Sequence, residues 1–441
     1  MKNNASVYEL DGRPELKIAL PLGLQHVLAM FTGNLAPIII IANVVGLTEA
    51  EKIYMIQCAM VVAGIVTMIQ LYPVGRIGAR LPLVMGTSFA FVPTAIAVGH
   101  AYGLSGVLGA SLLGSFVEII MGIFIKPLRK FFPPLVIGSV LMAIGLSLLP
   151  VGIEYFAGGA GAEDFGSLDN MFLGFLVLFI IILLQRFAKG IFSISAILVG
   201  IVVGYLVAIP MGKVEFSSVA AASWISIPMP MKFGMDFHLD AVLKFSAIYL
   251  VAGLESMGNI SGITIAGLDR EATEDELSGA VIADGAGSLF AAIFNVLPNT
   301  AFGQNAGIVA MTKVVNRYCV ATGAVFLILA GIIPKIGAVV SVMPTSVLGG
   351  AVITVFAMIT INGIKMISRA GFNSRNNIIL AIAFSLGLGL SQVPEAMENM
   401  PYLFKEIFSD SVVGVGVLAL IFNIVFPENK EEVDEISKVQ N

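Results

Sequence analysis

Glu255 stands in the apolar run from Ile248 to Ile263, where no other side chain ionises. A carboxylate in such surroundings is costly to desolvate, and by default it marks a place that binds a ligand or moves an ion. The plainer alternative is a carboxylate paired with an internal cation, and His26, at a similar depth in the first apolar run, is its candidate partner. Gln25 precedes that histidine. The stretch Leu297 to Lys313 contributes more polar groups: Pro298 and Gly303 edge an extended half, and a short helix is expected to start at Gln304 or Asn305. A helix that begins inside an apolar layer offers unpaired N–H groups and the positive end of its dipole. Gly86 to Pro93 has the same design, β-rich residues followed by a proline suited to the first helical turn. Together these residues supply donors, acceptors and rings, which suits reversible binding of a planar polar molecule. Covalent chemistry finds no support, because no nucleophile–base pair shares a depth. His26, His100, His238, Cys58 and Cys319 have no metal-ligand spacing. No Gly-Lys-Ser/Thr phosphate loop is present either. No catalytic residue, metal or cofactor is therefore expected.

The elements that hold these groups must be membrane helices. The chain is 57% hydrophobic and only 12% charged, with a mean hydropathy of +0.95, whereas soluble domains carry about 25% charge. Apolar runs of about 20 residues recur along it. The runs read as fourteen spans: 17–45, 53–72, 81–99, 103–125, 134–153, 171–187, 191–209, 240–263, 278–296, 298–314, 318–333, 339–362, 376–391 and 411–426. An even number puts both termini on one side. With the termini inside, 18 of the 24 Lys and Arg fall on the cytoplasmic side, which fixes the orientation. Met1 to Leu16 lacks an apolar signal-peptide core. Cys58 and Cys319 lie in or near apolar segments and are expected as free buried thiols. The segment Asp269 to Glu276 reads as a solvated loop, and 427–441 as a charged cytoplasmic tail.

Faint internal similarity divides the chain. Gly23-Leu24-Gln25 echoes Gly253-Leu254-Glu255, Thr87-Ser88-Phe89 echoes Thr300-Ala301-Phe302, and Pro133, Val136 and Gly138 echo Pro344, Val347 and Gly349. Two seven-span repeats result, 1–209 and 240–426. An odd span number makes the second copy insert upside down. The fold expected is an all-α polytopic membrane protein of inverted repeats, with spans three and ten broken by short β-strands that pair antiparallel and satisfy each other's backbone. Phe89 and Phe302 would then flank a cavity and stack on a planar ligand; packing as core aromatics is the competing reading.

At this point a family resemblance becomes specific. Gln304-Asn305-Ala306-Gly307 followed by Met311-Thr312-Lys313 resembles the signature Gln/Glu-Asn-x-Gly-x-x-x-x-Thr-Arg/Lys/Gly of the nucleobase–ascorbate transporter (nucleobase:cation symporter-2) family. Gln25-His26 resembles the Gln-His pair of its first span. The resemblance implies that Glu255 hydrogen-bonds ring N–H groups of a nucleobase. Gln304 reads a carbonyl beside an N–H with its amide, the backbone at Gly303 adds contacts, and Ser88, Phe89 and Phe302 line the site. Glutamine at this position accompanies xanthine and uric acid, glutamate accompanies uracil. Asp284 resembles an acidic position of the purine branch, for which a structural ion pair and a coupling role both stand open. Asn299 and Asn305 are implied to tie hydrogen bonds between domains. Asn259 departs from the pattern, since purine-type members often carry aspartate there; the coupling ion, H⁺ or Na⁺, therefore stays open.

The family further implies a core domain (spans 1–4 and 8–11), a gate domain (spans 5–7 and 12–14) and a homodimer in the inner (plasma) cell membrane. The expected activity is secondary active import of xanthine or a related oxidised purine such as urate, by proton symport with elevator-type alternating access. The alternatives are a uracil permease, a Na⁺-coupled purine transporter and an anion transporter of the same fold. No enzyme activity and no nucleic-acid partner are expected.

Overall fold

A computed structural model describes residues 6–128 and 133–426. The expected tail 427–441 lies outside the described residues, as do Lys2, Arg129, Lys130, Lys430 and Lys438. The chain is mainly helical. The first half runs α1 (Leu16–Val44), α2 (Glu49–Leu71), β1 (Met85–Thr87), α3 (Val92–Ile123), α4 (Pro134–Phe156), α5 (Leu168–Phe187) and α6 (Ala196–Ala208). The second runs α7 (Leu239–Leu268), α8 (Glu274–Ile293), β2 (Asn299–Ala301), α9 (Gln304–Thr312), α10 (Arg317–Gly331), α11 (Pro334–Ser341), α12 (Thr345–Ala370), α13 (Ser374–Gln392), α14 (Tyr402–Ser409) and α15 (Ser411–Val425).

Eight described helices are long and apolar enough to cross a membrane, or nine if the pair α10 and α11, bent by 83°, is one span. The other apolar segments are interrupted or shorter. α3 contains a break at Gly103, where φ is 68°, so its N-terminal part is a half-helix. α9 has only nine residues. α6 and α15 have 13 and 15. The expected span at 339–362 is displaced: the backbone breaks between Ser341 and Thr345, and the helix then runs to Ala370. Pro344 lacks an amide hydrogen and cannot continue the helix through that point.

The two broken segments meet in a two-stranded antiparallel ribbon. Met85 faces Ala301, Gly86 faces Thr300 and Thr87 faces Asn299. Ser88 N–H donates to Pro298 O at 2.8 Å, and Phe302 N–H to Val84 O at 3.0 Å, so pairing runs one bond past each strand. Helices carry the remaining acceptors. Thr67 Oγ1 on α2 takes the amide of Met85, the first residue of β1, at 2.9 Å. Ser288 Oγ on α8 takes the amide of Asn299, the first residue of β2, at 3.0 Å. Asn34 Oδ1 on α1 takes both the amide and the hydroxyl of Thr87, at 2.8 and 3.1 Å.

The same exchange of halves recurs elsewhere. α2 starts in a capping box of Thr48 and Glu51, α8 in one of Thr273 and Glu276. α1 and α2 pack on α10, while α7 and α8 pack on α3. Small residues make these approaches possible. A Cβ on Gly23 would lie 2.2 Å from Cys319 O, and one on Gly122 would lie 2.7 Å from Ile282 N. Cys58 and Cys319 are buried free thiols.

Contacts divide the chain into two compact units. One comprises residues up to Ile125 and Leu148–Val355; the other comprises Lys126–Ser147 and the chain from Phe356. The first unit holds the ribbon. The second is built on an apolar cluster that includes Leu135, Ile367, Ile379, Ala383 and Val415.

The ribbon supplies a stability test. Asn34→Ala leaves two Thr87 donors buried without an acceptor, a loss of about 1–3 kcal/mol for each unsatisfied group. The detergent-purified variant is expected to melt at a lower temperature than the parent. An unchanged melting temperature would contradict this role for Asn34.

Candidate substrate site

The start of α9 is the focus of the polar residues. Gly303 caps it without any side-chain hydrogen bond, and the amides of Gly303 and Gln304 have no acceptor among the described residues. A helix start of this kind is a ready acceptor-binding edge. α7 fixes its position. Asn259 Nδ2 donates to Ala301 O at 2.8 Å, and a Cβ on Gly303 would meet Asn259 Oδ1 at 2.6 Å. Gly303 therefore lets the turn lie directly on α7. Glu255 is one helical turn before Asn259 on the same face.

Three of the expected ligand-binding side chains have no internal partner among the described residues: Gln25, Glu255 and Gln304. Gln25 is buried, and Glu255 and Gln304 are partly buried. Their neighbours, by contrast, are engaged. His26 does not pair with Glu255; its Nδ1 lies 3.0 Å from Asn305 Nδ2, joining α1 to the first turn of α9. Asp284 meets no cation: it accepts from Ser256 Oγ and, at 3.2 Å, from Gln70 Nε2. Ser256 Oγ in turn lies 3.2 Å from Thr300 Oγ1. The ion-pair reading of Asp284 gives way to a hydrogen-bonded brace that ties α7, α8 and β2 together.

Other expected residues sit at the margins. Ser88 Oγ accepts from Ala90 N–H at 3.2 Å and caps the one-turn helix Phe89–Phe91. Phe89 and Phe302 are only 7% and 6% exposed. The Phe302 ring fills a slot left by two glycines, since a Cβ on Gly33 or Gly86 would lie 2.5 or 2.8 Å from it. It packs with Met30, Val84 and Leu327, so the core reading holds for this ring, and its backbone is what borders the turn. Asn299 exchanges backbone hydrogen bonds with Ser288, while its side-chain atoms are buried and unpaired among the described residues. Thr312 lies at the far end of α9, where its hydroxyl accepts from Val314 N–H and donates to Ile308 O.

Three further polar residues stand out in apolar runs. Asn34 and Gln70 lie in apolar runs and hold the ribbon and Asp284. Glu118 is the lone ionisable residue of the run Gly103 to Ile125, the same criterion that singles out Glu255. It is fully buried with both carboxylate oxygens unpaired among the described residues.

Residues 17–396 match the profile of the "Permease family", the xanthine/uracil permeases. The chain belongs to this family, the nucleobase–ascorbate transporters. It is 37% identical to the xanthine permease of Bacillus subtilis (92% of this chain, 93% of that one) and 37% identical to the uric acid permease of the same organism (93% and 95%). It is 33% identical to the xanthine permease of Escherichia coli (96% and 94%). In fold it resembles the transmembrane domain of a cyanobacterial bicarbonate transporter, with a TM-score of 0.58 at 13% identity (91% of this chain, 97% of that chain). It also resembles SLC26A9, with a TM-score of 0.60 at 13% identity (92% and 64%). This is a permease and not an enzyme, and it is an integral membrane protein.

Aspartate in place of Asn259 provides a test. Asn259 must donate to Ala301 O, which a protonated aspartic acid can do and an ionised one cannot. Asn259→Asp is expected to lower thermal stability by about 1–3 kcal/mol, with the loss growing as pH rises. A penalty independent of pH would contradict the donor role.

Proposed function

We propose that this chain is a secondary active transporter that imports a nucleobase, xanthine or a related oxidised purine such as urate, by proton symport. The observation that carries this reading is the set of unpaired groups on α1, α7 and α9, which pack together where α9 starts: the Glu255 carboxylate, the Gln304 amide, the Gln25 amide and the free amides of Gly303 and Gln304. A carboxylate takes ring N–H groups, and an amide takes a carbonyl and an N–H side by side. A purine dione presents both patterns on one planar edge. The base lies against Phe89 and the Phe302–Gly303 turn, with Ser88 and His26 shaping the pocket and Asn305 holding His26. Asn259, Asp284 and Asn299 keep the ribbon in place, and Thr312 ends α9. The names of the relatives, xanthine and uric acid permeases, support the purine side over uracil, as does glutamine at 304.

The transporter works by alternating access. Fourteen crossings result when the two half-helices, the shorter helices α6 and α15, the bent pair α10 and α11 taken as one, and α13 are added to the eight long helices. They form inverted repeats over 1–209 and 240–426, which the antiparallel ribbon and the reciprocal packing of α1, α2 and α10 with α7, α8 and α3 support. Core (spans 1–4 and 8–11) shifts against gate (5–7 and 12–14) in a homodimer of the plasma membrane, with both termini cytoplasmic. The positions of Lys and Arg favour that orientation.

Uptake of radiolabelled xanthine into cells without purine permeases tests the reading. Saturable uptake is expected, competed by urate and collapsed by a protonophore whether or not Na⁺ is present outside. Glu255→Gln removes charged hydrogen bonds of about 1.5–3 kcal/mol each, so affinity is expected to fall about 10- to 100-fold. Gln304→Glu is expected to weaken xanthine relative to uracil. Uptake that responds to uracil alone would overturn the purine assignment, and uptake driven by Na⁺ alone would overturn the proton.

A further inference from the structure

Glu118 has no part in the base-binding site described above, yet it is fully enclosed and carries two unpaired oxygens among the described residues. It stands on the part of α3 that follows the break at Gly103. α8 lies hard against this turn: a Cβ on Gly285 would meet Ile119 N at 2.8 Å and Ser115 O at 3.0 Å. The titratable groups that face it are Tyr249 and Glu255 from α7 and Asp284 from α8; α3 itself brings none. Tyr249 is occupied, with its hydroxyl bonded to Ser111. Among the described residues, no Lys, Arg or His compensates the carboxylate.

A bare carboxylate in a dry interior is not tolerated unless something neutralises it. Two further carboxylates within electrostatic range add repulsion that low polarity strengthens. A sodium ion would need a shell of oxygen ligands, and among the described residues no group of three or more His, Cys, Asp or Glu side chains is placed to hold an ion, while no donor reaches the Glu118 oxygens. A proton needs none. We propose that Glu118 is the coupling carboxylate, which takes up one proton with each base and releases it after the base has left. This rests on the proton-symport reading above and names the residue that carries the ion.

The coupling is electrostatic. A proton from outside water forms an O–H bond on Glu118, and that bond breaks when the proton returns to water inside. While Glu118 is neutral, Glu255 keeps its negative charge with one like charge fewer around it and accepts the ring N–H of the base. By linkage, bound base then favours the proton on Glu118 by the same factor. Asp284 lies next to both groups and braces β2, so the charge state of Glu118 also reaches the ribbon.

Proteoliposomes with set gradients test this. Glu118→Gln copies the neutral form. It is expected to bind xanthine within about threefold of the parent and to exchange internal for external base. It is expected to lose both accumulation under an inward proton gradient and xanthine-dependent proton entry. Glu118→Asp, which keeps a carboxyl, is expected to retain part of both. Proton-driven accumulation by Glu118→Gln at the parental level would overturn the proposal. Loss of accumulation in both variants with binding unchanged would assign Glu118 a packing role and would overturn it as well. A parent protein that neither binds nor moves any nucleobase would instead defeat the substrate reading itself.

Discussion

The structure depends on pairing backbone polar groups where no water can reach them. Two segments leave helical geometry inside apolar surroundings, and each strand alone would strand several N–H and C=O groups at a cost of several kcal/mol per group. The ribbon of β1 and β2 satisfies them mutually. Thr67 and Ser288 then take the first amide of each strand, and Asn34 takes Thr87. Because the strands run antiparallel, the chains leave the ribbon in opposite directions. The helix starts after each strand, at Phe89 and at Gln304, exist only because the ribbon permits the breaks.

From this constraint follows the division of labour among polar residues. Those that hold the ribbon and the start of α9 are engaged: Asn259 on Ala301, Ser256 on Asp284, and Asn305 through its Nδ2 on His26, with Asn305 Oδ1 unpaired among the described residues. Those left over are the ones suited to a substrate. A binding site inside a membrane needs both kinds, since partners that move would blur the geometry that unpaired groups present.

Much of this was legible in the sequence. The breaks at Gly86–Pro93 and Pro298–Gly303 follow from Pro, Gly and β-rich residues within apolar runs, and the helix start, expected at Gln304 or Asn305, lies at Gln304. Glu255 stood out by being alone. The misses have physical causes. Twin glycines at 33 and 86 make a slot for the Phe302 ring, and spacing along a chain cannot reveal a slot formed between two segments. His26 and Glu255 share a depth but not a face, so His26 went to Asn305. The bend of 83° between α10 and α11 falls at Pro334, between the expected spans 318–333 and 339–362, but the second break at Ser341–Thr345 cuts into a run that reads as continuously apolar. Glu118 met the criterion applied to Glu255 and was passed over because no motif surrounds it.

The central claim is that a purine binds at the start of α9, and a structure of the protein in lipid nanodiscs with bound xanthine tests it most directly. The account predicts density for the base with its ring N–H edge on Glu255, its carbonyl edge on Gln304 and the backbone at Gly303, and one face against Phe89. Base density elsewhere, such as the apolar cavity of about 310 Å³ lined by Leu35, Ile201 and Met343, with Glu255 and Gln304 untouched, would contradict it.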